Sequence, residues 1–222
     1  MSDQIFVPYS GYQEYPVERM KQRAADFLAL VKRRRSVRRF SNRPVPVDII
    51  RTCIQAAASA PSGADNQPWT FVVVAEQEIK KQIHQAAEAV EREFYRAEAT
   101  KKWVQALDHL GTDPFKPFLL EAPFLIVIFA QRYSHDAEGR KKKHYYVQQS
   151  VGIATGILIT ALHHAGLASL PYTPARMAFL NTLLSRPANE KPFMILVTGY
   201  PADAVQVPSL RKKSLEEVAI FL

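Results

Sequence analysis

With one cysteine, Cys53, in 222 residues, the chain can form no internal disulfide. That excludes a disulfide-built secreted scaffold and points to a reducing, cytoplasmic setting. The opening stretch, MSDQIFVPYSGYQEYPVERM, lacks the positive start and apolar core of a signal peptide. The longest stretch free of Asp, Glu, Lys and Arg runs from Tyr145 to Ala175, and it is interrupted by Gln148, Gln149, Ser150, His163 and His164. Its apolar heart, Val151 to Leu162, is too short to span a bilayer, so no membrane partner is expected. Phosphate-cradling loops of the G-x-x-x-x-G-K-[ST] and G-x-G-x-x-G kinds are missing. So are H-E-x-x-H, a second cysteine for zinc, and the G-x-S-x-G nucleophile elbow. His163 and His164 are adjacent, which on a helix turns them about 100° apart and away from a shared metal. No metal is expected, and hydrolytic chemistry has no support.

What is there describes a globular enzyme-sized body. Apolar residues make up 47% of the chain, too many for global disorder, and the length suits one domain spanning residues 1–222. The net charge is +8, but thirteen positive charges sit in three short runs: six in Lys32–Arg39, four in Arg140–Lys143 and three in Arg211–Lys213. The remainder therefore carries −5. A mildly acidic body with three basic spots is compatible with a nucleic-acid backbone, an anionic membrane or a small phosphorylated ligand.

Hydrophobic spacing predicts helices over Val17–Arg33, Val47–Ala60, Ile79 to about Ala99, His144–Gly166 and Met177–Ser185. Buried strands are predicted at Trp69–Ala75, Pro123–Ala130 and Phe193–Gly199, with a short one at Leu167–Leu170. Thr100–Phe118, with Gly111, Pro114 and Pro117, is poorly patterned. Helices alternating with fully apolar strands indicate an α+β or α/β layered fold whose sheet is buried on both faces. Cys53 falls on an apolar helix face and reads as a core residue.

Four local features carry possible chemistry. Arg34, Arg35, Ser36 and Arg38 follow a helix end; guanidinium groups with a hydroxyl grip phosphate through charge-assisted hydrogen bonds, although a solvated basic loop has the same pattern. Pro61-Ser62-Gly63-Ala64-Asp65-Asn66 is a small-residue loop before a strand, open to close ligand approach at Gly63, or an ordinary loop. Glu91 and Tyr95 share a helix face and, with Lys116, would suit a zwitterion; from pattern alone an exposed flank and a surface lysine are the simpler reading. Leu170-Pro171-Tyr172-Thr173-Pro174 frames Thr173 between prolines, or is a plain strand-to-helix turn. Gly152 and Gly156 form G-x-x-x-G on the core helix, a pattern of close helix packing or a subunit contact.

Taken together, RRSVRRF, AASAPSGADNQPWTFVVV, KKKHYY and LLSRPANEKPFMILVTGYPAD resemble the nitroreductase-like flavoproteins, and within them the halotyrosine-deiodinating branch, over about Met20 to Ser214. The resemblance implies an α+β fold with a central mixed sheet flanked by helices, in an interlocked homodimer with FMN at the subunit interface. It implies FMN contacts from Arg34, Arg35, Ser36, Arg38, Ser62, Gly63, Pro171, Tyr172 and Thr173, with Lys212 or Lys213 at the phosphate where relatives carry an arginine. It assigns Glu91, Tyr95 and Lys116 to the amino-acid end of a halotyrosine, a backbone contact at Ala64 to its phenolate, and a lid over residues 91–116. Asn66 and Gln67 follow the broader nitroreductase pattern. Thr173, hydrogen-bonded to the flavin, is the implied catalytic group and favours stepwise one-electron transfer. The implied reaction is reductive dehalogenation to tyrosine and halide, with reduced nicotinamide (NADPH) or a reductase as electron source. A general NAD(P)H-dependent nitroreductase is the rival enzyme, and a basic nucleic-acid-binding domain the rival outside enzymes. An anionic flavin phosphate accounts for the basic spots without nucleic acid.

Overall fold

The computed structural model describes residues 6–97 and 100–222. The first five residues of the N-terminal stretch, and Glu98 and Ala99 at the end of the predicted third helix and within the expected lid, lie outside the described residues. The chain divides into two compact units, residues 1–34 and 35–222. The first is built on helix α1, Val17–Lys32. Its start is set by Pro16 ahead of the first turn, and Arg23 stacks over the Tyr15 ring at 4.5 Å.

The second unit is a three-layer sandwich. Its sheet contains β1 (Trp69–Val74), β2 (Phe124–Gln131), β5 (Ala168–Tyr172) and β6 (Glu190–Gly199) in the order β1-β2-β6-β5. All three ladders are antiparallel, and one parallel bridge, Ser36 with Ser169 at the outer edge of β5, makes the sheet mixed. β2 shows why the sheet is covered on both sides. Phe124, Ile126, Ile128 and Ala130 enter one core and Leu125, Val127 and Phe129 the other, so the two-residue period of an extended chain sends every residue into an apolar layer. On one face Ile50, Cys53 and Ala57 of α2 (Val47–Ala58) pack with Val151, Ala154, Leu158 and Leu162 of α6 (Val147–His164). On the other lie Ile83 and Ala87 of α3 (Gln77–Arg96), Leu119 of α5 (Phe118–Glu121) and Leu180 of α7 (Phe179–Leu183). Pro192, which has no N–H for a ladder, sits where the register shifts opposite Ile128 and Phe129. Cys53 is buried, and burial pushes its thiol up.

Three elements depart from the sequence expectation. The poorly patterned segment contains a helix, α4 (Lys101–Leu107). The basic run Arg140–Lys143 belongs to a hairpin of β3 (Tyr133–His135) and β4 (Lys141–Lys143), turning through Gly139 at φ 77°. His144 pins this hairpin, with Nδ1 3.0 Å from the Gln131 carbonyl and Nε2 3.1 Å from Ser134 Oγ. The third is β5, which runs on through Pro171 and Tyr172, so the proline-framed segment is a strand end rather than a turn from its first residue. Among the described residues no helix is long and apolar enough to cross a membrane, and no cluster of His, Cys, Asp and Glu could hold a metal ion.

Candidate active site

A cavity of about 470 Å³ opens between the C-terminal half of α3, the α4 segment and the end of β5. Four turns of α3 separate its capping end from Glu91, and the helix periodicity that buries Ile83 and Ala87 against the sheet also turns Glu91 inward. Glu91 and Lys116 are 7% and 3% exposed. They are neither a solvated flank nor a surface lysine: Lys116 Nζ lies 3.5 Å from Glu91 Oε2. Tyr95, one turn further along α3, stands with its ring centroid 5.5 Å from the same ammonium.

Each member of this set is held by others. The Lys116 backbone N–H donates to Glu88 Oε1 at 2.9 Å. Glu88 is itself gripped by His84 at 2.9 Å and Arg92 at 3.1 Å. Lys116 Nζ also donates to the Asp113 carbonyl. Glu91 Oε1 accepts a hydrogen bond from the Tyr172 hydroxyl at 3.2 Å. Burial pushes the Lys116 ammonium below its usual range, against the pull of Glu91. Burial, reinforced by the Glu91 charge, pushes the Tyr172 phenol far up, and burial raises Tyr95 as well. A buried carboxylate and a buried ammonium side by side can receive a zwitterion, each charge meeting its opposite. The aromatic walls, Phe94 and Trp103 edge to face at 5.4 Å and Phe118 against Tyr172, give the rest of the cavity an apolar lining.

Thr173 lines the same cavity and is exposed there, between Tyr172 and the buried Pro174. Arg38 also lines it and reaches a second cavity, of about 330 Å³, shared with Ser36. Among the described residues the Arg38 guanidinium has no hydrogen bond or ion pair, and neither has the Ser36 hydroxyl. A cation and a hydroxyl facing one opening suit an anionic group such as a phosphate. Arg35 is spent differently, donating to the Pro208 carbonyl, while Arg34 is the last residue of the first unit.

The Ser62–Gln67 loop does not line either cavity. Its backbone is forced into the left-handed region at Ala64, Asp65 and Gln67 (φ 51°, 49° and 46°), a costly arrangement for residues with a Cβ. The Ser62 hydroxyl accepts from the Gln67 N–H at 2.9 Å, and the Gly63 N–H donates to Ser150 at the start of α6 at 3.2 Å. Gly63 has to be glycine, because a Cβ there would meet the Tyr145 carbonyl at 2.8 Å. Asn66 Oδ1 is buried without a partner among the described residues. Lys212 and Lys213 are exposed in the C-terminal segment, and the neighbouring Arg211 is paired with Glu217 at 2.5 Å.

Glu91, Tyr95, Lys116, Arg38 and Thr173 thus converge, with Pro171 and Tyr172 beside them, while residues 62–64 and the two lysines stand elsewhere. Sequence reasoning missed Glu88, whose signal was its place one turn before Glu91 on the same helix face. It also missed Trp103 and the Tyr172–Glu91 hydrogen bond, which nothing in the order of residues announces.

The nitroreductase family model matches residues 31–200. Iodotyrosine deiodinase of Haliscomenobacter hydrossis is 46% identical over 215 residues, spanning 97% of this chain and 96% of that protein. Human iodotyrosine deiodinase 1 is 42% identical over 215 residues, 96% of this chain and 74% of its own length. A crystal structure of oxidized iodotyrosine deiodinase bound to FMN and 3-iodo-L-tyrosine superposes with a TM-score of 0.74 at 32% identity, covering 88% of this chain and 100% of that one.

Proposed function

The chain belongs to the nitroreductase family, and from that premise we propose that it is an FMN-dependent halotyrosine dehalogenase, converting iodotyrosine to tyrosine and iodide. The observation that carries the reading is the buried Glu91–Lys116 pair on the wall of a cavity that also exposes Thr173. The similarity to iodotyrosine deiodinases over nearly the whole chain supports the same substrate class.

The residues fit the cofactor. Arg38 and Ser36, whose side chains have no hydrogen-bond or ion-pair partner among the described residues and which line one cavity, would hold the phosphate end, with Arg35 in the same run adding positive charge. Pro171, Tyr172 and Thr173 would flank the ring, and the Thr173 hydroxyl would donate a hydrogen bond to it. When bound, FMN supplies the two electrons, one at a time, that together with a proton replace a carbon–halogen bond by carbon–hydrogen. The chain's own residues do the rest. Glu91 accepts the substrate ammonium and Lys116 its carboxylate, so the internal ion pair is exchanged for two intermolecular ones. Tyr95, Phe94 and Trp103 wall off the aromatic part, and closure of the segment over residues 91–116 excludes water.

Residues 62–64 are read as belonging to the second half of the site, supplied by a partner subunit in a homodimer. Their absence from the cavity lining supports this, as do the open faces beside Gly152 and Gly156 on α6. The Ala64 backbone would then meet the substrate phenolate, with Ser62 and Gly63 beside the flavin. One of Lys212 and Lys213 would reach the phosphate from the C-terminal segment. Reduced nicotinamide or a reductase would supply the electrons.

The test is a titration of FMN-loaded protein with 3-iodo-L-tyrosine, followed by flavin fluorescence. Saturable quenching is expected. A protein that ignores iodotyrosine yet steadily reduces nitroaromatics with NADPH is instead a general nitroreductase.

A further inference from the structure

Glu91 presents two carboxylate oxygens to the cavity, and they have different partners. Oε2 faces the Lys116 ammonium at 3.5 Å, whereas Oε1 accepts from the Tyr172 hydroxyl at 3.2 Å. We propose that Tyr172 is a positioning residue: its hydroxyl fixes the Glu91 carboxylate so that Oε2, once Lys116 turns away, is aimed at a ligand ammonium, and it thereby sets the chain's preference for amino acids over their ammonium-free analogues. The inference rests on reading this cavity as a halotyrosine site, and it adds to the flavin-flanking place of Tyr172 a role on the substrate side.

The mechanics follow from where the two residues are anchored. Tyr172 ends β5, paired with Ile195 of β6, and its ring is wedged edge-on against Phe118 at 5.2 Å. The hydroxyl is therefore carried by a strand of the central sheet. Glu91 hangs from α3 on a side chain with three rotatable bonds, and Lys116 comes from the segment leading into α5. When a zwitterion arrives, Lys116 must turn toward the ligand carboxylate and Oε2 must be released. A carboxylate held only by Lys116 would follow it. One held at Oε1 from the sheet stays in place.

A hydroxyl is also the right donor for the task. A second cation at Oε1 would hold the carboxylate equally well, but it would repel the incoming ammonium across a few ångströms of poorly screened space. A neutral O–H stabilises the buried charge without that repulsion. Its burial favours the protonated phenol, so it donates throughout the neutral range.

The experiment compares FMN-loaded wild type with Tyr172→Phe, which keeps the ring and its contact with Phe118 and removes only the hydroxyl. Each is titrated with 3-iodo-L-tyrosine and with the corresponding iodohydroxyphenyl propanoate, which lacks the ammonium alone. Iodotyrosine affinity should fall about ten-fold, the usual order for one hydrogen bond to a charged group, while propanoate affinity changes much less. The proposal is overturned if iodotyrosine binds both proteins alike, or if both ligands weaken equally, which would mean a packing role. A wild type that fails to bind iodotyrosine at all overturns the substrate reading itself, and this inference with it.

Discussion

Glu91 and Lys116 are opposite charges in a wall that water scarcely reaches. Such a pair recovers little net stability, because both groups lose their hydration; in the proposed function its use is to receive a zwitterion. Removing one partner leaves the other buried and uncompensated. Glu91→Gln should accordingly weaken 3-iodo-L-tyrosine binding by about 30-fold or more, with flavin retained, as read by fluorescence titration. The same wall sets a pH dependence. Burial holds the Lys116 ammonium below 10.5, and a neutral amine cannot pair with a carboxylate, so iodotyrosine affinity should decline as pH rises, starting before an ordinary lysine would titrate. A flat alkaline limb that Lys116→Gln leaves unchanged would contradict this. Gly63→Ala puts a methyl 2.8 Å from the Tyr145 carbonyl and 2.9 Å from Tyr146 Cδ2. The shift this forces should cost about 1–3 kcal/mol, seen as a lowered Tm.

At the scale of elements, Glu190 at the start of β6 ties three parts of the fold together. Its carboxylate takes Arg186 on both oxygens, at 2.7 and 2.9 Å, and the Thr70 hydroxyl of β1 at 2.6 Å. Burial would raise its pKa, but Arg186, Thr70 and Gln131 win and hold it below 4.5. A carboxyl depressed in the folded state binds protons more readily once unfolded. Its stabilisation is therefore complete above pH 4.5 and is lost as pH falls through the folded value. Urea unfolding across that window should show a shallower acid dependence for Glu190→Gln than for wild type; parallel curves would contradict the clamp. Elements also mark where the sequence could and could not be read. α2, α3 and α6 have apolar residues at helical spacing, and β1, β2 and β6 are apolar runs, so all six were legible. α4 is seven residues among glycine and prolines, and β4 is three lysines, a pattern that reads as solvated loop. Glu91 and Tyr95 were legible as one helix face. The Tyr172–Glu91 bond joins residues 81 apart and the Glu88–Lys116 bond residues 28 apart, and only the folded chain brings them together.

On the scale of the whole molecule, the thirteen positive charges of the three basic runs sit in different local settings. Arg38 faces two cavities, Arg140 is tied to Asp136 at 2.8 Å, and Arg211 is tied to Glu217. One chain brings Glu91, Tyr95 and Lys116 to one cavity and leaves residues 62–64 outside it. The mass of two chains is therefore expected by light scattering in the flavin-loaded state, and monomeric protein with full activity would contradict a shared site. The central claim is tested most directly by turnover. FMN-loaded protein, reduced under anaerobic conditions, is given 3-iodo-L-tyrosine, and tyrosine and iodide are quantified. Equal amounts of both are expected from wild type, with a large loss in Glu91→Gln at sub-saturating substrate; intact iodotyrosine recovered from the reduced wild type would contradict the dehalogenase reading.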